Sequence, residues 1–132
     1  MREIDHIGVA VRSLEQSLAS YRALGLEPVG QDEVPEQGVR VAFLPVVGTR
    51  LELLEPTSSD SPIARFIAKR GEGLHHIGLR VEDIRAAMAA LRTAGLTLLT
   101  EGPVTGAHGS LVCFVHPKST SGVLFELCEI RG

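Results

Sequence analysis

Two glutamates stand where a carboxylate is expensive to keep. Glu52 lies in Leu51-Glu52-Leu53-Leu54-Glu55 and Glu126 in Phe125-Glu126-Leu127-Cys128-Glu129, each flanked by apolar residues in a strand-like run. A carboxylate buried there needs a partner charge or a metal ion. Two histidines sit at matching places in two other strand-like runs, His6 in Ile4-Asp5-His6-Ile7-Gly8-Val9-Ala10-Val11 and His76 in Leu74-His75-His76-Ile77-Gly78-Leu79-Arg80-Val81. Two neutral imidazoles and two carboxylates make an N₂O₂ set that balances a divalent cation and suits Co²⁺, Mn²⁺, Ni²⁺, Zn²⁺ or Fe²⁺. A lone strand histidine is ordinarily a hydrogen-bonded core residue, and a lone strand glutamate ordinarily faces solvent. What points to one metal held by His6, Glu52, His76 and Glu126 is that both residue types recur.

The recurrence extends well beyond these four residues. Seventy residues separate Ile4 from Leu74, and the match runs on through Leu14 with Ile84, Leu18 with Met88, Arg22 with Arg92 and Gly25-Leu26 with Gly95-Leu96. The glutamate segments match at an offset of seventy-four, the extra residues fitting the longer turn around Lys118 to Ser121. Each half opens on a strand whose period of two puts His6, Gly8 and Ala10 on one face and Ile7, Val9 and Val11 on the other. The apolar face requires a helix. Ser13 with Gln16 has capping-box spacing and Gly25 stops that helix; in the second half Asp83 takes the cap position and Gly95 the stop. Strand-like runs follow at Val39 to Val47 and Arg50 to Leu54, then at Leu111 to His116 and Val123 to Ile130. The expected fold is α+β: two paired βαβββ modules, about 1–56 and 74–132, forming a curled mixed sheet around a metal-binding cleft. Residues 57–73 join them through a short helix that starts at Ser61-Pro62 and ends at Gly71 and Gly73. Gly8 and Gly78 lie on the histidine face and leave space for an approaching ligand. His75 has the opposite parity and is assigned no ligand role, while His108 and His116 are read as substrate-side or incidental. The second half shows no counterpart of the Pro35-Glu36-Gln37-Gly38 turn.

The bulk properties narrow the partners. A chain of 132 residues with 44% hydrophobic and 22% charged residues is long enough to bury one ordinary core. A net charge of −3 gives no field for nucleic acid or an anionic membrane. No apolar run approaches the roughly 20 residues that cross a bilayer. The first strand-like run begins almost at Met1, so no leader peptide and a cytoplasmic location are expected. Cys113 and Cys128 lie in apolar strands, as buried reduced thiols do.

The chain resembles the vicinal oxygen chelate superfamily, built from paired βαβββ modules around a metal, with His and Glu ligands at these strand positions. Within it the similarity is greatest to methylmalonyl-CoA epimerases and covers nearly the whole chain. Narrower than the ligands are Val34-Pro35-Glu36-Gln37-Gly38-Val39, Asp60-Ser61-Pro62-Ile63-Ala64, Gly106-Ala107-His108-Gly109 and His116-Pro117-Lys118. The resemblance implies interconversion of the 2R and 2S forms of methylmalonyl-CoA in propionyl-CoA metabolism, by two-base proton transfer at C2 through a metal-stabilised thioester enolate. It implies Glu36 and Glu126 as the bases, Co²⁺ as the first expectation for the metal with Mn²⁺, Ni²⁺ and Zn²⁺ as alternatives, and a homodimer. Lys118 is the first candidate for a coenzyme A phosphate contact. Two positions depart from the pattern: some epimerases have Gln where Glu52 stands, and Ser110 stands where Lys is common. Glu52 also fits a lactoylglutathione lyase of the glyoxalase I type, the alternative activity. An extradiol dioxygenase normally leaves open the position that Glu52 would fill, and metal-free drug-binding members lack the need for these ligands.

Overall fold

The structure is a computed structural model that describes residues 3–131. Its elements are β1 (Glu3–Ala10), α1 (Leu14–Ala23), β2 (Gly30–Val34), β3 (Val39–Val46), β4 (Thr49–Pro56), α2 (Pro62–Arg70), β5 (Gly73–Arg80), α3 (Ile84–Thr93), β6 (Val104–Thr105), β7 (Leu111–Val115) and β8 (Phe125–Glu129). Strand, helix and three strands therefore occur twice, in the expected order. The chain separates into two compact units: an N-terminal unit, His6–His75, and a C-terminal unit, Met1–Asp5 with His76–Gly132.

In the N-terminal unit β1 runs parallel to β4, with Ile7 opposite Leu51 and Gly8 opposite Glu52. Strand β4 pairs antiparallel with β3, which pairs antiparallel with β2. Helix α1 covers one face because Leu14 and Leu18, four apart, project from a single stripe. They pack on Val9, Val11, Ala42, Leu44 and Leu53, with Tyr21 and Leu26 at the margin. Burying each such leucine contributes about 2 kcal/mol. The helix starts where expected, since Ser13 Oγ accepts the Gln16 N–H at 3.2 Å. Its first N–H, from Leu14, donates to Glu55 Oε1 at 2.7 Å, a cap supplied by β4. Helix α2, capped by Ser61 and opening on Pro62, docks against β4 through its unit's chain.

The C-terminal unit repeats this construction. Strand β5 is parallel to β8, with Gly78 opposite Glu126. Strand β8 is antiparallel to β7, and β7 to β6. Ile84 and Met88 of α3 pack on Val81, Cys113 and Leu127. Asp83 caps Ala86, and the Ile84 N–H donates to Glu129 Oε1 at 2.9 Å. That bond, with Arg131 beside it, holds the Glu129 carboxyl below the usual carboxylate range.

Two expectations are corrected. Gly71 caps α2, but Gly73 is already the first residue of β5 and ends no helix. More consequentially, the Pro35–Gln37 turn does have a counterpart. A single 3₁₀ turn joins β2 to β3 over Pro35–Gln37, and another joins β6 to β7 over Ala107–Gly109. Gly38 N–H returns to Pro35 O at 3.1 Å in the first, and Ser110 N–H to Ala107 O at 3.2 Å in the second. Different residue types close the same backbone bond, so residue matching could not find it.

Candidate metal centre and catalytic residues

Each unit brings its own histidine and glutamate together. The register that sets Gly8 beside Glu52 puts His6, two residues before Gly8, on the same sheet face, away from α1. His6 Nδ1 lies 3.6 Å from Glu52 Oε2. In the C-terminal unit His76 Nε2 lies 3.7 Å from Glu126 Oε1. All four side chains are buried, with 3% to 6% of their surface exposed. These separations are too long for hydrogen bonds. They are, however, well within the span of two donors sharing one cation through bonds of about 2.1 Å. Buried imidazole nitrogen beside buried carboxylate oxygen is the donor chemistry a borderline divalent metal takes, so the residues fit the group the sequence implied.

The surroundings of the two glutamates match on both sides. Each stands beside a glycine on the parallel neighbour and opposite a phenylalanine on the antiparallel one, Phe43 for Glu52 and Phe114 for Glu126. A glycine there presents no side chain to the carboxylate. Phe114 stands perpendicular to His76, with ring centroids 5.9 Å apart. Phe43 instead has the Arg50 guanidinium 5.7 Å from its centroid. Arg50 also grips Glu52, its Nε at 2.9 Å and its Nη2 at 2.7 Å from Oε2.

Glu36 is exposed on the first 3₁₀ turn. The turn is docked firmly. Gly38 adopts φ +64, its carbonyl accepts the Thr57 N–H at 2.9 Å, and a Cβ on it would come within 2.6 Å of Ser61 Cβ. Ser61 is itself the buried cap of α2. Only glycine satisfies both the left-handed backbone and this close approach. His108 holds the matching place in the second turn, with φ +56, an uncommon conformation for a residue with a side chain. Ser110 is buried, and its Oγ donates to Ala107 O at 2.8 Å. It shapes the turn. Lys118 is exposed on a third 3₁₀ turn, Pro117–Thr120, where its N–H donates to His116 Nδ1. His116 is thereby a cap. His75 packs edge-on against Phe66 at 4.8 Å, and burial pushes its pKa down to about 4. A neutral, space-filling imidazole agrees with its parity. Cys113 and Cys128 are both buried, and no disulfide joins them.

Arg50, which grips Glu52, has no counterpart in the second half of the repeat. Its signal was present, since it lies two residues before Glu52 and so on the same face. The repeat hid it, because the matching residue in the second half is Leu124.

Residues 5–114 match the Glyoxalase/Bleomycin resistance protein/Dioxygenase superfamily. The chain belongs to that superfamily. Among its relatives is the ethylmalonyl-CoA/methylmalonyl-CoA epimerase of Cereibacter sphaeroides, 43% identical over 130 residues that span 96% of this chain and 97% of the relative. Among solved structures it resembles the methylmalonyl-CoA epimerase of Mycobacterium tuberculosis, with a TM-score of 0.93, 36% identity, and coverage of 98% of this chain and 89% of that one. A methylmalonyl-CoA epimerase in complex with methylmalonyl-CoA and NH4+ matches with a TM-score of 0.91 and 41% identity, over 96% of this chain and 93% of that one. Among the described residues no helix is long and apolar enough to cross a membrane.

Proposed function

We propose that this protein is a methylmalonyl-CoA epimerase in which His6, Glu52, His76 and Glu126 hold one divalent metal, Co²⁺ first. Both repeats, 1–56 and 74–132 with the helical linker 57–73, then act as one functional domain. The observation that carries the reading is a buried His–Glu pair built at the same strand positions in each unit. The epimerase relatives, similar over nearly the whole chain, supply the substrate class.

The chemical obstacle is the C–H at C2, flanked by a thioester and a carboxylate. When bound, the metal supplies Lewis acidity that lowers the cost of negative charge on the thioester oxygen as the proton leaves. The chain's own residues do the rest. Glu126 and Glu36 act as the two bases, one for each face of C2, one accepting a proton while the other returns one. Phe43 and Phe114, opposite the two buried glutamates, exclude water and keep the field of the ligand set strong. His6 and His76 supply the nitrogen donors. Lys118 meets a coenzyme A phosphate from its exposed turn. A cytoplasmic homodimer goes with this reading, and sedimentation velocity would check the second half of that statement.

The deciding experiment loads the metal-free protein with Co²⁺, Mn²⁺, Ni²⁺ or Zn²⁺ and incubates it with one epimer of methylmalonyl-CoA in D₂O. The expected result is metal-dependent deuterium entry at C2 with formation of the other epimer. No exchange with any metal, or turnover of the glutathione–methylglyoxal hemithioacetal in its place, would overturn the reading.

A further inference from the structure

Glu52 and Glu126 have the same strand neighbours, and what separates them is the residue two positions earlier on the same face. In the N-terminal unit it is Arg50; in the C-terminal unit it is Leu124. Arg50 is not a loose surface cation. Its Nε and Nη2 converge on the single oxygen Glu52 Oε2, at 2.9 and 2.7 Å. Its guanidinium is backed by the Phe43 ring at 5.7 Å, and its side chain is 28% exposed against 6% for Glu52. A guanidinium held this way restricts the carboxylate's rotation and sets a positive charge beside it.

The charge has a consequence for the metal. Two carboxylates and two neutral imidazoles cancel a divalent ion completely, which favours binding it but blunts its pull on a substrate oxygen. A fixed guanidinium on one carboxylate gives back one positive charge. We propose that Arg50 is a positioning residue that orients Glu52 and offsets its charge, so that Glu52 meets the metal as a neutral oxygen donor such as a glutamine would. The inference rests on the metal reading above. The site then keeps a net positive charge toward an acyl-CoA substrate that carries a free carboxylate and develops negative charge at its thioester oxygen. Weaker metal retention is exchanged for greater catalytic pull.

The test is a double-mutant cycle read first by Co²⁺ titration, following visible absorption, and then by steady-state kinetics. Arg50→Leu is expected to bind Co²⁺ about tenfold more tightly while kcat falls and KM for methylmalonyl-CoA rises. Glu52→Gln alone leaves the guanidinium uncompensated and is expected to bind Co²⁺ at least tenfold more weakly. Glu52→Gln with Arg50→Leu restores the charge balance and is expected to return within about threefold of the wild type. Arg50→Lys keeps the charge and is expected to stay near the wild type in affinity; Arg50→Gln replaces the Leu variant if that one does not fold. An Arg50→Leu variant that binds Co²⁺ no more tightly than the wild type, a double variant that stays as weak as Glu52→Gln, or a Lys variant that binds Co²⁺ as tightly as Arg50→Leu would overturn the inference while leaving the metal reading intact. No Co²⁺ uptake by the wild type would remove both.

Discussion

In the N-terminal unit the buried glutamate is gripped by Arg50, and the phenylalanine opposite it lies against that guanidinium. In the C-terminal unit the same place on the strand holds Leu124, and the phenylalanine stands perpendicular to His76. Backbone, glycine neighbour and histidine are otherwise alike. The 3₁₀ turns differ in the same spirit: Glu36 rides on one, His108 on the other. A duplicated scaffold thus places equivalent His–Glu pairs, and single substitutions on it introduce a division between the halves. An epimerisation needs that division, because the two faces of one carbon must meet two different groups.

The largest effects should come from breaking the pairs unequally. Glu126→Gln is expected to lower deuterium exchange into methylmalonyl-CoA by about 10²–10⁴-fold, as loss of a general base does. Glu52→Gln, which removes a charge and no base, should cost about tenfold at saturating Co²⁺. Equal losses would mean that the two glutamates are interchangeable. Next comes Glu36→Gln, expected to lower epimerisation by about 10²-fold or more with Co²⁺ content unchanged. His108→Ala, at the matching turn, should cost less than about tenfold, and rate measurements with each epimer would separate them.

Smaller effects test the supports. Gly38→Ala meets both a left-handed backbone and Ser61 Cβ at 2.6 Å, whereas Gly25, at φ +91, has nothing within 4 Å. Urea unfolding should show about 2–3 kcal/mol lost at Gly38 and about 1 kcal/mol at Gly25. Activity should fall at Gly38 only, because Glu36 rides on that turn. The smallest effect is one of pH. Burial raises the Cys113 thiol to about 11 from its ordinary 9. Below 9 the thiol is protonated in folded and unfolded chains alike; between about 9 and 11 only the unfolded chain releases the proton, so stability falls as pH rises. Cys113→Ala should flatten that part of the unfolding curve.

Much of this was legible in the chain because duplication left a second copy to compare. The βαβββ order, the Ser13 and Asp83 caps and the His–Glu pairs all kept their residue types or their spacing. Where a feature survives through backbone alone, comparison fails. Strand β2 reads Gly-Gln-Asp-Glu-Val and β6 has only two residues, since an edge strand with one neighbour needs no alternation of apolar residues. The second 3₁₀ turn keeps its hydrogen bond and none of its side chains. Arg50 escaped for the opposite reason: a repeat is blind to what only one copy has.

The carboxylates that cap the two helices also govern the order in which each unit can form. Leu14 waits for Glu55, 41 residues further along, and Ile84 waits for Glu129, 45 residues further along. A helix of 10 residues is marginal alone, and neither α1 nor α3 has its first N–H satisfied before the last strand of its unit has returned. That strand carries the buried glutamate and lies parallel to the one that carries the histidine. Folding is therefore governed by distant contacts rather than local ones, and a chain emerging N-terminus first cannot finish a half-site until the whole unit has been made.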